Sequence, residues 1–251
     1  MRATPDILRG IITGLLALSV ALPAAAVLKP EPFSPVMASF SNELEFDALR
    51  GKVKSFEQAL YDSGDTPVML ARGEFDTRGC LMRYEKIDGV NNGKIKLTRN
   101  VADNTLISAY DKQRVIHLND RCEVVSTDAK GDDAKDYIYD ARGFLVKVKG
   151  HKDAWVYKEY FYTPEGMPKS VVYYGDEKDF LIITEPKKKL SEQWDFITEG
   201  LDDGKPVFQS VKKCLYDDRY NPTVCYLITA VVENGVQKKR VEQIHYIVKY
   251  Y

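Results

Sequence analysis

Pairs of adjacent aspartates are the first residues of this 251-residue chain that could support acid–base chemistry. Two carboxyl groups in one cleft could hydrolyse a glycosidic bond if they lay about 5 to 9.5 Å apart. The pairs are Asp132-Asp133, Asp202-Asp203 and Asp217-Asp218. All three fall in predicted turns, where aspartate hydrogen-bonds the local backbone. Their placement favours a structural role, and a hydrolase that uses turn carboxylates is kept only as an alternative.

The three histidines, His117, His151 and His245, give no metal site, because they lack paired ligand spacing. His117 and His245 fall in predicted strands and His151 falls in a loop. The chain contains no nucleophile elbow, no zinc-protease motif, no dinucleotide-binding glycine motif and no phosphate-binding loop. We therefore predict a protein that is not an enzyme and that has no metal and no cofactor.

Residues 1 to 26 differ in composition from the rest of the chain. Arg2 and Arg9 precede an apolar run from Ile11 to Leu22, and the residues from Pro23 to Ala26 offer a small-residue cleavage site. This pattern predicts a secretory signal peptide and a location in the periplasm or cell envelope. A retained anchor is the alternative, although the run is shorter than the roughly 20 apolar residues that a membrane span needs.

Whether the four cysteines form disulfides depends on the redox state of their compartment. An even number of thiols in an oxidising compartment is most simply explained by two disulfides, for which three pairings exist on paper. Cys214 and Cys225 flank a predicted hairpin, which places them on facing strands and favours a bond between them. That leaves Cys80 to pair with Cys122.

The elements that carry these residues repeat one short pattern. In the stretch from Tyr139 to Leu145 an aromatic residue ends a strand, Asp opens a turn, and Gly supplies the left-handed residue before the next strand. Weaker copies occur at 61–64, 75–79, 162–166 and 216–221, and in the last of these we expect Asn221 to replace Gly. Recurrence of one hairpin unit predicts stacked neighbouring strands.

The remaining segments complete a single all-β domain. We predict a Pro-rich extended tether over 27–40, a short helix within 41–50, and one β domain over 41–251 that holds both disulfides. The predicted fold is an antiparallel meander of β-hairpins. It forms either a long curved sheet or a closed barrel or sandwich, and the pattern leaves closure undecided.

Composition limits the partners. Lys plus Arg number 36 against 37 Asp plus Glu, so the chain shows no bias toward nucleic acid. The second half is rich in aromatic residues, and Trp155, Tyr157, Phe161 and Tyr173 are candidates for a binding face. The predicted function is a non-enzymatic binding or structural module whose partner is an envelope protein, a glycan or a lipid. A carrier of a lipid or another apolar ligand is the alternative.

Several blocks of sequence resemble the YnfC-type family of enterobacterial envelope lipoproteins. They are the residues from Met37 to Glu43, the Leu49-Arg50-Gly51 segment, Gly79-Cys80, Cys122, the block from Cys214 to Cys225, and the closing Tyr250-Tyr251. The resemblance runs from about Ser34 to the C-terminus and implies an envelope location with no established activity. Family members carry a lipid-modified cysteine after the signal, whereas Ala24-Ala25-Ala26-Val27 stands here. We therefore expect either a released periplasmic protein or association with the membrane through an uncleaved signal.

Overall fold

The computed structural model describes residues 30–111, 114–128, 134–176, 178–233 and 236–251. The predicted signal peptide and the Asp132-Asp133 pair lie outside the described residues. In the described part of the chain, one helix of ten residues, one short 3-10 helix (Leu190–Glu192) and sixteen strands account for the regular structure.

The sixteen strands found in these ranges form a closed antiparallel barrel. Each strand pairs with its neighbours in sequence, and the first strand pairs with the last, which closes the sheet. The predicted all-β meander is therefore confirmed, and its closure is settled as a barrel. The strands are β1 (Val53–Tyr61), β2 (Pro67–Phe75), β3 (Leu81–Asp88), β4 (Gly93–Asn100), β5 (Thr105–Ser108), β6 (Val115–Leu118), β7 (Val124–Asp128), β8 (Lys135–Tyr139), β9 (Leu145–Gly150), β10 (Val156–Tyr162), β11 (Pro168–Tyr174), β12 (Asp179–Pro186), β13 (Phe196–Asp202), β14 (Lys205–Tyr216), β15 (Pro222–Glu233) and β16 (Val236–Tyr250).

One turn recurs between strands and explains the repeated sequence pattern. In the turn that opens at Asp140, the Gly143 N–H donates to the Asp140 carbonyl, and Asp140 Oδ1 accepts from the backbone of Arg142 and Phe144. Gly143 has φ of 85°, a value that favours glycine. The same bonds recur in turns that open at Asp62, Asp76, Asn119 and Asp217. Except for the turn at Asp62, these lie at the end of the barrel where β1 begins, called here the near end; the opposite end is the far end.

Two of the predicted turns have their left-handed residue elsewhere than expected. In the turn that opens at Asp217 the positive φ belongs to Tyr220, at 62°, and not to Asn221. In the turn that opens at Asp62 it belongs to Asp65, at 57°, and not to Gly64. The fourth position of the turn is fixed by its hydrogen bonds, so a residue other than glycine adopts the strained conformation there. Asn221 is instead fully buried, and its side chain bonds to the backbone of Arg50.

The helix, α1 (Pro35–Leu44), lies inside the barrel. None of its ten residues is exposed, and the buried apolar ones are Met37, Ala38, Phe40 and Leu44. The segment around it contacts strands from all parts of the wall: the Leu145 N–H on β9 donates to Ser39 Oγ, and Tyr84 on β3 donates to the Leu44 carbonyl. Residues 33–50, which we call the plug, therefore form the centre of the hydrophobic core.

The predicted helix within 41–50 was misplaced. The helix begins at Pro35, within the segment predicted to be an extended tether, because Pro at the first helical position lacks only an N–H that would be unpaired there anyway. It ends at Leu44, where the next residue, Glu45, adopts a left-handed conformation with φ of 59°, and Gly51 lies beyond it. Three prolines within seven residues favoured the extended interpretation, but only Pro30 and Pro32 precede the helix.

Both predicted disulfides are confirmed. Cys80 bonds to Cys122 with 5.4 Å between their Cα atoms, and Cys214 bonds to Cys225 with 4.0 Å. Cys214 and Cys225 are direct cross-strand partners on β14 and β15, as the hairpin argument requires. Since all four cysteines are bonded, no free thiol remains.

Candidate binding site in the barrel interior

Three carboxylates at and just after the end of α1 fasten the plug to the wall. Each meets a lysine on the inner face of a different strand. The pairs are Glu43 with Lys158 on β10 at 3.6 Å, Glu45 with Lys86 on β3, and Asp47 with Lys212 on β14 at 2.7 Å. Because these strands are spread around the barrel, the plug is fixed from three sides.

The Asp47–Lys212 pair is the most enclosed of the three. The Lys212 side chain is only 3% exposed, and Tyr246 donates a second hydrogen bond to Asp47. The Lys212 ammonium lies 4.6 Å from the centre of the Trp194 ring and 5.1 Å from that of Phe196. Burial lowers the pKa of Lys212, and the Asp47 carboxylate opposes that shift. A buried charge of this kind is stable only with its partner in place.

The near end of the interior is closed by Arg50. Its backbone N–H donates to Asn221 Oδ1, and its carbonyl accepts from Asn221 Nδ2, so Asn221 holds the chain as a second strand would. The guanidinium lies 4.0 Å from the centre of the Phe33 ring and donates to Gln193. Burial lowers the pKa of Arg50 to about 10. The two bonds to the Arg50 backbone explain why the side chain of Asn221 is buried.

Between Lys212 and the far end, the inner wall becomes polar. A row of hydroxyl side chains crosses four neighbouring strands in register: Thr184, Thr198, Ser210 and Thr229. Thr184 and Thr198 are 3.2 Å apart, and Ser210 and Thr229 are 2.9 Å apart. Lys212 is buried, Thr229 is half-buried, and Arg240, the next residue along the row, is exposed. The interior therefore opens toward the far end, and we call this region the cup.

Aromatic rings line the cup beside the hydroxyl row. Phe180 on β12 lies between Tyr173 and Phe208, with ring centres 6.2 and 6.5 Å away. Phe208 lies flat against β13 because its neighbour is Gly200: a Cβ at that position would be 2.1 Å from the Phe208 ring. All three rings are half-buried. The cup thus combines hydroxyl groups with flat apolar surfaces.

A cavity of about 130 Å³ lies where the cup meets the plug. Its walls come from both, and they include Asn42, Asp47, Thr184, Trp194 and Phe196. Trp194 is 4% exposed, and its Nε1 donor has no hydrogen-bond partner among the described residues. A buried N–H without a partner costs about 1–3 kcal/mol, so Trp194 is a site of unsatisfied polarity beside the cavity.

A larger cleft of about 370 Å³ lies at the near end, outside the barrel wall. It runs between the first described residues, Glu31 to Pro35, and the turn that opens at Asp76. Two of its charged side chains, Asp76 and Arg78, pair with each other at 3.2 Å, and Glu31 and Lys52 also line it.

The four aromatic residues predicted to form a binding face do not share one surface. Phe161 on β10 is 47% exposed and points outward, opposite Ser170. Tyr173 pairs with Lys158 and lies on the inner face, in the cup. Trp155 is exposed at the turn before β10, and Tyr157 is half-buried beneath Lys135. Only Tyr173 belongs to the candidate site.

The predicted carboxylate pairs within the described ranges do not converge. Asp202-Asp203 and Asp217-Asp218 lie at opposite ends of β14, whose twelve residues span roughly 40 Å. His117 and His151 bond to Asp128 and Asp136 at 2.7 and 2.8 Å. Among the residues described, no group of three His, Cys, Asp or Glu side chains could hold a metal ion. The same ranges hold no helix of the length and hydrophobicity required to span a membrane.

Sequence reasoning missed the plug, the lysine pairs and the hydroxyl row. Thr184, Thr198 and Ser210 each lie two positions from Ile182, Phe196 or Lys212 on their own strand. Residues with this spacing lie on the same face of a strand. That signal becomes informative only once the register between strands is known. The lysine pairs carry no local signal, since Asp47 and Lys212 are 165 positions apart.

The fold and the site define a class of protein: a closed antiparallel barrel whose N-terminal segment fills one half of its interior. In agreement, the chain is similar to a porin-like protein from Bacteroides uniformis ATCC 8492, with a TM-score of 0.54 and 11% identity. The match covers 78% of this chain and 98% of that one, and at this identity it shows the fold alone.

The chain belongs to the uncharacterised protein family UPF0257, whose sequence model matches residues 12–251. Its relatives include the UPF0257 lipoprotein YnfC of Escherichia coli O45:K1 (strain S88 / ExPEC), which is 29% identical over 215 residues. The protein of the same name from Escherichia coli strain K12 / DH10B is equally similar, and both matches cover 86% of each chain. The resemblance drawn from the sequence is confirmed.

Proposed function

We propose that this protein is an exported, non-enzymatic binding module of the cell envelope, and that its cup binds a glycan. The single observation that carries the proposal is the hydroxyl row that lies beside the half-buried rings of Phe180 and Phe208 in the cup. The envelope location is supported by the lipoprotein name of the relatives and by the composition of residues 1–26. The segment Ala24-Ala25-Ala26-Val27 holds no cysteine that could be lipidated, so release into the periplasm or retention by the signal are the two routes we propose.

Carbohydrate fits the chemistry of the cup better than the other partner classes. Sugar hydroxyls both donate and accept, and they match the paired hydroxyls of Thr184, Thr198 and Ser210. The flat rings of Phe180 and Phe208 supply apolar faces against which a pyranose can lie. The cavity beneath the row, which Trp194 lines, has room for roughly four water molecules or for one sugar substituent. Small apolar ligands would cover these hydroxyls without offering them a further hydrogen bond.

A carrier of lipid has less support. Such a carrier needs an apolar cavity of about 300 Å³ or more. Here the plug occupies the apolar half of the barrel, where Phe40, Phe46, Phe56 and Tyr84 are all buried. The half that is open is lined by hydroxyls. The geometry therefore favours the glycan over the lipid.

Trp194 fluorescence gives a direct test. The chain has two tryptophans, and Trp155 is exposed, so the variant Trp155→Phe reports on Trp194 alone. We expect that soluble peptidoglycan fragments or short oligosaccharides, titrated into this variant, shift its emission in a saturable way. Calorimetry on the unmutated protein should give the same Kd. A full oligosaccharide panel without a saturable signal in either assay would overturn the proposal.

Variants locate the site. Thr198→Val removes one hydroxyl of the cup at nearly constant volume and should weaken binding about tenfold, the value of a hydrogen bond lost to a buried site. Thr98→Val is the matched control, because Thr98 is exposed on the outer face of β4. Equal binding by both variants would place the ligand elsewhere.

A further inference from the structure

The outer face of the barrel is divided into two regions of different character. Along β1 to β4 it carries cross-strand ion pairs, such as Arg72 with Glu57 at 2.8 Å and Arg83 with Glu74 at 3.4 Å. Along β13 to β16 a row of aliphatic side chains crosses four strands in direct register: Ile197, Val211, Ile228 and Val241. We call this the aliphatic row.

The aliphatic row lies in water in the isolated chain. Ile197, Ile228 and Val241 are 41%, 51% and 52% exposed. Toward the near end it is followed by Tyr226 and Leu215, at 49% and 59%, with the exposed Lys213 opposite Tyr226. A contiguous exposed apolar surface rimmed by polar residues is typical of an interaction site.

The charges beside the row indicate what covers it. Toward β12 and β13 the flanking residues are acidic: Glu185 pairs with Ile197, and Glu199 is two residues further along β13. Toward β16 the flanking residue in the same outer row as Glu199 is Lys239. The surface therefore has an acidic side and a basic side with the aliphatic row between them.

We propose that the aliphatic row binds a second copy of this chain. A two-fold axis along the strand direction, midway between Val211 and Ile228, lays one row on the other in reversed order. β13 of one copy then faces β16 of its partner, and Glu199 faces Lys239 on both sides. A two-fold interface must be self-complementary in this way, whereas a flat bilayer surface would gain nothing from the acidic side.

Sedimentation velocity of the mature protein tests the proposal. We expect a concentration-dependent dimer with a dissociation constant in the micromolar range, as for an interface of modest size. Ile228→Lys should give a monomer at all concentrations. Ile138→Lys is the matched control, since Ile138 on the outer face of β8 is also partly exposed, at 38%, and it should leave the dimer intact.

The charge pair gives a second test that does not depend on burying a lysine. Glu199→Lys and Lys239→Glu should each weaken the dimer at least tenfold, and the double variant should restore it. Circular dichroism and the absence of free thiols would verify that each variant is folded. A wild-type monomer at millimolar concentration, a double variant that stays monomeric, or a monomer that instead co-sediments with lipid vesicles would overturn the proposal.

Discussion

The two halves of the barrel interior have the same strands as walls but are filled differently. The plug fills the near half with a helix and phenylalanines, and three of its carboxylates bond to Lys86, Lys158 and Lys212 on the wall around it. In the far half, β12 to β15 present Thr184, Thr198, Ser210 and Thr229, which meet each other across the wall. Long strands thus serve two purposes: stability in one half and an unfilled polar surface in the other. If this division is correct, equivalent changes should have large effects in the near half and small ones in the far half.

Alkaline pH should produce the largest difference. Burial raises the pKa of Tyr84, Tyr160 and Tyr246, which all lie around the plug. In the unfolded chain these phenols ionise near pH 10, so the folded protein holds more protons above that pH and its stability falls as pH rises. We expect cooperative unfolding above about pH 10, with a simultaneous jump in tyrosinate absorbance. Smooth ionisation of every tyrosine before the loss of circular dichroism would contradict a sealed near half.

Asp47→Asn should destabilise the protein by about 3–5 kcal/mol, because it leaves Lys212 charged, buried and unpaired. The measurement is the free energy of unfolding in guanidinium chloride. Asp202→Asn is the control from the far half, where the Asp202–Lys178 pair is 3.7 Å long and largely exposed. It should change stability by less than about 0.5 kcal/mol. Similar losses in the two variants would remove the distinction between the halves.

Replacing both Cys214 and Cys225 by alanine should cost about 3 kcal/mol through the entropy of the unfolded chain. The matched pair is Ser210 with Thr229, which faces across the same two strands in the far half. Alanine at both of those positions should cost about 1 kcal/mol, the value of their hydrogen bond. Midpoints of urea unfolding would compare the two double variants, and the reverse order would be a clear failure.

Tyr160→Phe should have the smallest effect of the series in the near half, about 1.5 kcal/mol, because Tyr160 donates to the Glu43 carboxylate beside Lys158. Tyr174→Phe removes a comparable bond, to Glu159 at 2.9 Å, outside the barrel. There we expect a change within about 0.5 kcal/mol. Thermal unfolding followed by circular dichroism would resolve the difference, and equal shifts in Tm would argue that Glu43 is already satisfied by lysine.

The parts of this structure that sequence could predict are those governed by neighbours in the chain. The turn at Asp140 needs only Asp140, Gly143 and the strands on either side, and Cys214 and Cys225 are eleven positions apart across one hairpin. The plug could not be predicted, since Tyr246 and Asp47 are 199 positions apart. The helix was predicted at the wrong position because α1 is stabilised by burial on all sides and has no capping side chain that the sequence would reveal. Closure of the barrel depends on the pairing of β1 with β16, which the residues of neither strand predict.

The position of the plug in the chain also constrains how the protein is assembled. Residues 33–50 are synthesised before any of the wall that surrounds them, while Tyr246, which bonds to Asp47, lies five residues from the C-terminus. The first strand likewise has no partner on one edge until the last strand exists. Contacts of such sequence separation make folding slow, and they leave both the apolar helix and an open sheet edge exposed to other chains in the meantime. This architecture therefore requires that the early-made segment be kept apart from other polypeptides until synthesis is complete.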